Sequence, residues 1–313
     1  MAKMRLITEA VGTVEGFCLV KAAAVRTDSK GSDYLDMVIA DSEGECPAKM
    51  WNYNRVTCGT FDAGDIIKVR GSVQVWKDAE QFKIDRIRQA MPSDELDMSL
   101  LVPCAPIAPQ ESFDALMAEV DAFQDEDYKR LVKYLYRENK DVLMLYPAGV
   151  KLHHATRGGL LHHTLSVVRL CKSICALYPS LHSDLLLTGA MLHDIGKTVE
   201  LDTNTLGIAG AYTAMGQLVG HINIGVAMIY SAAEVTMLPE KKLMLVAHML
   251  LSHHGKPEFG SPKLPAFPEA EVLSTCDLLD SKLYEMNAAL DGVLPDGFSE
   301  RQWALDNRQL YKL

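Results

Sequence analysis

The hydrophobic period of this chain changes once, and a proline-rich stretch marks the change. Before residue 91 apolar and polar residues alternate in strand-length runs, and beyond residue 110 apolar residues recur at helical spacing. Between them lies MPSDELDMSLLVPCAPIAPQ (91–110), with four prolines and no sustained period. Two periods divided by such a segment predict two units, residues 1–90 and 111–313, each burying its own apolar face, with 91–110 as a linker.

In the first unit DYLDMVIAD (33–41) and DIIKVRGSVQVW (65–76) carry Val, Ile and aromatic residues in strand-length runs. Ile67, Val69, Val73 and Val75 share one parity, and Lys68, Arg70, Gln74 and Trp76 share the other. That gives an apolar face and a basic, aromatic one. KDAEQ (77–81) reads as a hairpin loop into FKIDRIRQ. Four or five strands in this space fit a small barrel or a sandwich. Charge divides along the same line. Residues 1–90 hold 13 Lys and Arg against 13 Asp and Glu, and the rest hold 18 against 28, which supplies the whole net charge of −10. A relatively basic first unit on an acidic chain points to separate roles.

The second unit reads as helices broken at Gly and Pro, starting at SFDALMAEVDAFQ with Ser112 as a cap. A hydrophobic content of 48% with 23% charged residues fits a soluble globular chain. No unbroken apolar run approaches the roughly 20 residues of a membrane span, and MAKMRLITEAVG lacks the apolar core of a secretory signal. Seven scattered cysteines without a C-x-x-C pair suggest reduced, cytoplasmic use, with Cys171 and Cys175 as small core residues one turn apart.

All ten histidines fall in residues 153–254, and they are ordered. His163 shares a helix face with Val167, Leu170 and Ile174, so it points inward, while His162 points outward or sideways. His193 and Asp194 end the apolar run DLLLTGAML. A buried carboxylate beside an imidazole needs partners, and a cation satisfies both. His221 opens GHINIG, His253 and His254 close KKLMLVAHMLLSHHG with Gly255 as its cap, and Asp277 lies one turn after Leu273. Any single inward histidine is more often a hydrogen-bonded core residue; five such places in order argue otherwise for the set. His163, His193, Asp194, His221, His253, His254 and Asp277 are therefore candidate ligands, with His182, His248 and His162 left as structural or surface residues. Imidazole and carboxylate without thiolate suit Mn, Fe, Co, Ni or Zn. Seven ligands exceed one ion and suit two that share a carboxylate.

The segments LHHATRGGLLHHTLSVV, GAMLHDIGKTVEL, YTAMGQLVGHINIG and LLSHHGKPEFGSPKLPAFPEAEVLSTCDLLDSKL resemble the two-metal branch of the HD superfamily of phosphohydrolases, and within it the 3′–5′ exoribonucleases of the YhaM type. The resemblance covers most of residues 10–290. It implies an OB-fold barrel over 1–90 followed by an all-α HD domain over 111–313. It also implies one ion, manganese first, on His163, His193, Asp194 and Asp277, and a second on His221, His253 and His254, with Asp194 bridging. One position departs: the residue before the first ligand, usually Glu in the family's GGLLEHT, is His162. The tail after residue 290 adds no motif, and Trp303 and Leu310 read as packing or oligomer contacts.

The activity implied is hydrolysis of single-stranded RNA, with single-stranded DNA as an alternative strand, by an ion pair that activates water and neutralises the phosphodiester. The partners implied are the strand and further copies of the chain, with no membrane. Lys197, three residues after Asp194, is the candidate cation for a phosphate oxygen; Arg157 and Lys263 are further candidates. Trp76, Lys68 and Arg70 would guide the strand on the barrel by stacking and charge, as would Trp51 if it is not core. Three rivals remain: a nucleotide or cyclic-dinucleotide phosphohydrolase whose OB-fold binds a protein, a di-iron oxygenase of HD type, and a non-catalytic RNA-binding protein. The chain lacks the GYP motif usual for the cyclic-dinucleotide enzymes.

Overall fold

The computed structural model describes Met4 and residues 12–76, 79–150 and 154–313, the side chains of Trp76 and Ala79 excepted. The chain divides after Cys104 into two compact units.

The first unit is a closed barrel of β1 (Thr13–Thr27), β2 (Asp33–Ala40), β3 (Glu45–Met50), β4 (Ile66–Trp76) and β5 (Ala79–Gln89), in the order β1-β2-β3-β5-β4. That is the strand order of an OB-fold, which decides between barrel and sandwich. One long strand makes closure feasible: β1 pairs with β4 through Thr13–Leu19 and with β2 through Leu19–Thr27, turning at a bulge between Val20 and Ala22. Alternate residues fill the inside, including Leu35, Met37 and Ile39 of β2, Ile67 and Val69 of β4, and Phe82 and Ile84 of β5. At Gly71 the two strands of the β4–β5 hairpin approach so closely that a Cβ would lie 2.0 Å from the Lys83 carbonyl oxygen.

Three expectations are corrected here. Val75 is not on a buried face; it is 70% exposed. Among the described residues the hairpin outruns its paired neighbours, since β1 pairs with β4 as far as Ser72 and β3 pairs with β5 at Phe82 and Lys83. The loop is also shorter than KDAEQ, because Trp76 already pairs with Ala79; Lys77 and Asp78 lie outside the described residues. The stretch 91–110 is no free linker. Arg88 grips Asp94 at 2.7 and 2.8 Å, Ser42 donates to the Leu100 carbonyl, and Leu101 and Val102 are buried. From Ala105, which donates to the Arg157 carbonyl, the chain belongs to the second unit.

That unit comprises α1 (Pro109–Asp121), α2 (Glu126–Glu138), α3 (Gly159–Leu177), α4 (Ser183–Leu192), α5 (Lys197–Glu200), the two-stranded β6 (Leu201–Thr203) and β7 (Ala209–Tyr212), α6 (Ala214–Thr236), α7 (Glu240–Ser252) and α8 (Pro268–Leu290). Helix α4 is buried over Leu185–Leu192, which explains a run apolar all round. It packs on α2, α3, α7 and α8 and carries the His193–Asp194 turn into the middle of the bundle. Helices α3 and α6 are long and apolar enough to cross a membrane by length and composition, a match that scanning for unbroken runs does not find. Each carries a site histidine, and α6 breaks at Gly220 (φ 76°, ψ 151°). All seven cysteines are free, and Cys171 and Cys276 are both buried. In the tail Leu310 is buried, whereas Trp303 is 73% exposed.

Candidate metal centre

Four helix ends and one helix face bring the predicted residues together. His163 faces inward from the first turn of α3, and His193 and Asp194 follow α4 directly. His221 resumes α6 after the Gly220 break, His253 and His254 follow α7, and Asp277 lies inside α8. The approach of two of these ends requires glycine at 196, where a Cβ would lie 2.0 Å from the His221 carbonyl oxygen.

The seven side chains form two adjoining groups. In one, His163 Nε2 lies 3.2 Å from His193 Nε2 and 3.1 Å from Asp277 Oδ1. Asp194 Oδ2 completes it, 3.6 and 3.4 Å from the two imidazoles. In the other, the ligand atoms of His221, His253 and His254 all lie within 4.8 Å of one another. The second oxygen of Asp194 faces this group, with Oδ1 3.5 Å from His221 Nε2 and 3.8 Å from His253 Nε2. One carboxylate thus serves both groups.

Every one of the five imidazoles has its Nδ1 against an acceptor. His163 meets Asp280 Oδ2 at 2.7 Å, and His193 meets the Ala190 carbonyl at 2.8 Å. His221 meets Glu200 Oε1 at 3.1 Å, His253 the Leu250 carbonyl at 2.7 Å, and His254 the Phe259 carbonyl at 2.7 Å. A neutral ring that donates from Nδ1 keeps a lone pair on Nε2, so lone pairs converge on lone pairs and carboxylate oxygens. Asp194 Oδ1, His221 Nε2 and His253 Nε2 are buried without any hydrogen-bond partner. Such an arrangement is costly unless a cation fills it, so the residues present fit divalent metal.

The ionisation states agree. Burial opposes charge on Asp194, yet Lys197 and His193 hold its carboxyl well below the usual range. Burial likewise opposes charge on Lys197, and Asp194 outweighs it, with Lys197 Nζ 2.7 Å from Oδ2. Burial, helped by the neighbouring His254 and His193, pushes His253 well below an ordinary imidazole. His163 goes the other way: burial works against its charge, but the hydrogen bonds to Asp277 and Asp280 push it up to about 9. Without a cation, a proton takes the cation's place on that ring.

Other predicted residues stay apart. Arg157 lays its stem against Gly207 with Nη1 buried and unpartnered, and Lys263 is exposed near His248; no described contact brings either to the two groups. His248 Nε2 accepts from the Ala266 backbone N–H, and His182 donates its backbone N–H to Glu269, both structural uses. His162 does not face outward: it is half-buried, with Nδ1 3.1 Å from His154 Nδ1. Asp280, Glu200 and His154 are additions that the sequence reading did not single out. Asp280 was open to discovery, lying three residues after Asp277 on the same helix.

On the barrel, Trp51 is 44% exposed rather than core. Its ring stacks on Tyr34 of β2 at 4.8 Å, and Lys49 of β3 stands 5.3 and 5.7 Å from the two ring centroids. Lys68 is paired with Glu15 at 2.9 Å and lies over Phe17, and Arg70 is exposed. The side chain of Trp76 lies outside the described residues.

Comparison with known proteins adds to this geometry. A sequence model described as the HD domain matches residues 160–282. A 3′–5′ exoribonuclease YhaM of Listeria innocua is 37% identical over 308 residues, covering 98% of this chain and 97% of the relative. One from Bacillus subtilis is 35% identical over 312 residues, covering 100% of this chain and 98% of the relative. Among solved structures, the protein PriB of Ralstonia solanacearum aligns with 26% of this chain and 100% of itself, at 10% identity and a TM-score of 0.23. The OB assignment therefore rests on the strand order of the barrel itself.

Proposed function

The chain belongs to the YhaM family of 3′–5′ exoribonucleases, and from that premise we propose that it shortens single-stranded RNA from the 3′ end using two divalent transition-metal ions. It is a metal-dependent hydrolase; the number of ions, the metal and the strand are the finer reading. The observation that carries it is Asp194, whose two oxygens face two different ligand groups while Oδ1 lacks any other partner.

His163, His193, Asp277 and Asp194 Oδ2 would hold one ion, and His221, His253, His254 and Asp194 Oδ1 the other. Manganese leads, with Fe, Co, Ni and Zn suited by the same ligand chemistry. Bound there, the ions supply charge neutralisation for a phosphodiester and acidity for a water. The chain's own residues prepare the place. Lys197 pins Asp194 Oδ2 and keeps it ionised, a more constrained task than a free phosphate contact. Asp280 and Glu200 fix the rings of His163 and His221. The Tyr34–Trp51 stack with Lys49 suits unpaired bases and phosphates, each stacked base contributing roughly 1–3 kcal/mol. Arg70 and Trp76 are further candidates on the same unit, and single-stranded DNA fits the same features.

The test is 5′-labelled single-stranded RNA incubated with the full-length protein and Mn²⁺, with and without oxygen. A ladder shortening from the 3′ end in both atmospheres, and absent for Asp194→Asn, is expected. Dependence on oxygen, or hydrolysis confined to mononucleotides and cyclic dinucleotides, would overturn the reading.

A further inference from the structure

His154 is not among the converging ligands, yet its surroundings are unusually complete. Its ring is 2% exposed, with Nε2 3.0 Å from Asp280 Oδ2 and Nδ1 3.1 Å from His162 Nδ1. Its face lies against the Tyr284 ring, centroids 3.9 Å apart. The backbone adopts φ +52°, in the left-handed region that a non-glycine residue enters at a cost. Two contacts clamp it there: Ala148 donates to the His154 carbonyl at 3.0 Å, and that carbonyl fills the space where Gly159 has no Cβ.

His154, His163 and Asp280 could be mistaken for a third cation site, since their ligand atoms lie within 4.8 Å of one another. The hydrogen count argues otherwise. Asp280 Oδ2 faces His163 Nδ1 at 2.7 Å and His154 Nε2 at 3.0 Å, so a single oxygen accepts from two imidazoles. The cluster is saturated by its own protons, unlike the two groups in which lone pairs face lone pairs.

We propose that His154 is a positioning residue of the metal centre: it fixes the Asp280 carboxylate, and through it the ring orientation and tautomer of His163. The strained backbone is retained because the imidazole must reach Asp280 from the loop before α3 while its other nitrogen meets His162. The inference rests on the reading of His163 as a metal ligand. It is independent of the strand hydrolysed, because its readout is metal binding.

The experiment is calorimetric titration of metal-free, full-length protein with Mn²⁺. His154→Phe keeps a ring against Tyr284 and removes the donor; His154→Asn keeps a donor and a residue type tolerant of positive φ. His154→Phe is expected to weaken Mn²⁺ binding roughly tenfold, at the low end for outer partners of a ligand, and His154→Asn to recover part of that loss. Asp280→Asn should weaken binding at least as much, and the double variant His154→Phe/Asp280→Asn no more than Asp280→Asn alone. Unchanged Mn²⁺ affinity in His154→Phe, even with a lower melting temperature of the metal-free protein, would overturn the proposal. So would losses that multiply in the double variant. Loss of all Mn²⁺ binding sites in Asp280→Asn with none in His163→Ala would instead count against His163 as a ligand.

Discussion

At the scale of single residues, the site is built from imidazoles whose outer nitrogen is committed before any ion arrives. The acceptors are backbone carbonyls for His193, His253 and His254 and carboxylates for His163 and His221. Asp194 is the residue both groups need. Asp194→Asn keeps the shape and removes the charge, so metal content should fall in both groups and hydrolysis by about a thousandfold, about 4 kcal/mol. His248→Ala, whose ring serves the Ala266 backbone, should leave both unchanged; elemental analysis and the RNA assay on the two proteins check this. A proton and a cation also compete for His163 Nε2. Because the metal-free ring sits at about 9, binding below that pH must expel a proton. Mn²⁺ affinity should therefore rise with pH, about tenfold per unit for one proton, and level off above about 9. Titration calorimetry in two buffers of different ionisation heat measures the protons released, and a dissociation constant flat between pH 6 and 8 would contradict it.

At the scale of elements, helix ends do the positioning, and small residues let them meet. Gly196 follows the His193–Asp194 turn, where a Cβ would lie 2.0 Å from the His221 carbonyl and 2.7 Å from the Gly225 nitrogen. Gly196→Ala must push the start of the His221 segment outward, whereas α3, α4 and α8 do not depend on that contact. The expected outcome is one ion retained out of two and hydrolysis reduced about a hundredfold, the scale of a misplacement near 1 Å. Two ions retained at full stoichiometry would show that the segment adapts.

At the scale of the whole molecule, the two units have separate cores, so tasks proposed for each can be tested separately. An ion present at a hundred times its dissociation constant adds about 2.7 kcal/mol to the unit that binds it. Scanning calorimetry with Mn²⁺ and then with chelator should move the transition of the helical unit and leave that of the barrel in place. Conversely, Trp51→Ala in the full-length chain should weaken binding of long single-stranded RNA about fivefold to a hundredfold, following the stacking energy of one base, and spare cleavage of a small phosphodiester. Raising salt should weaken the same binding as Lys49 and Arg70 lose their hold on phosphates. Fluorescence anisotropy of a labelled oligonucleotide at several salt concentrations reads both effects. Equal binding by the parent and Trp51→Ala would remove the barrel's stack from the strand path.

What the sequence by itself determined is local or ordered along the chain. The change from period 2 to helical period separates the barrel from the bundle, because side-chain direction follows secondary structure directly. The buried run of α4 demanded partners for His193 and Asp194, and His163, His221, His253 and His254, at helix ends or on an inward face, supplied the other members of the cluster together with Asp277. What only the tertiary structure decided depends on segments far apart in the chain. Asp280 reaches His163 across 117 residues and His154 across 126, distances over which no spacing rule acts. Strand parity could not show that Val75 lies where the hairpin outruns its neighbours, nor that Trp51 stacks outside on Tyr34, since burial depends on which strands run alongside. Periodicity reports which way a side chain points, and only the packed fold supplies what it meets there.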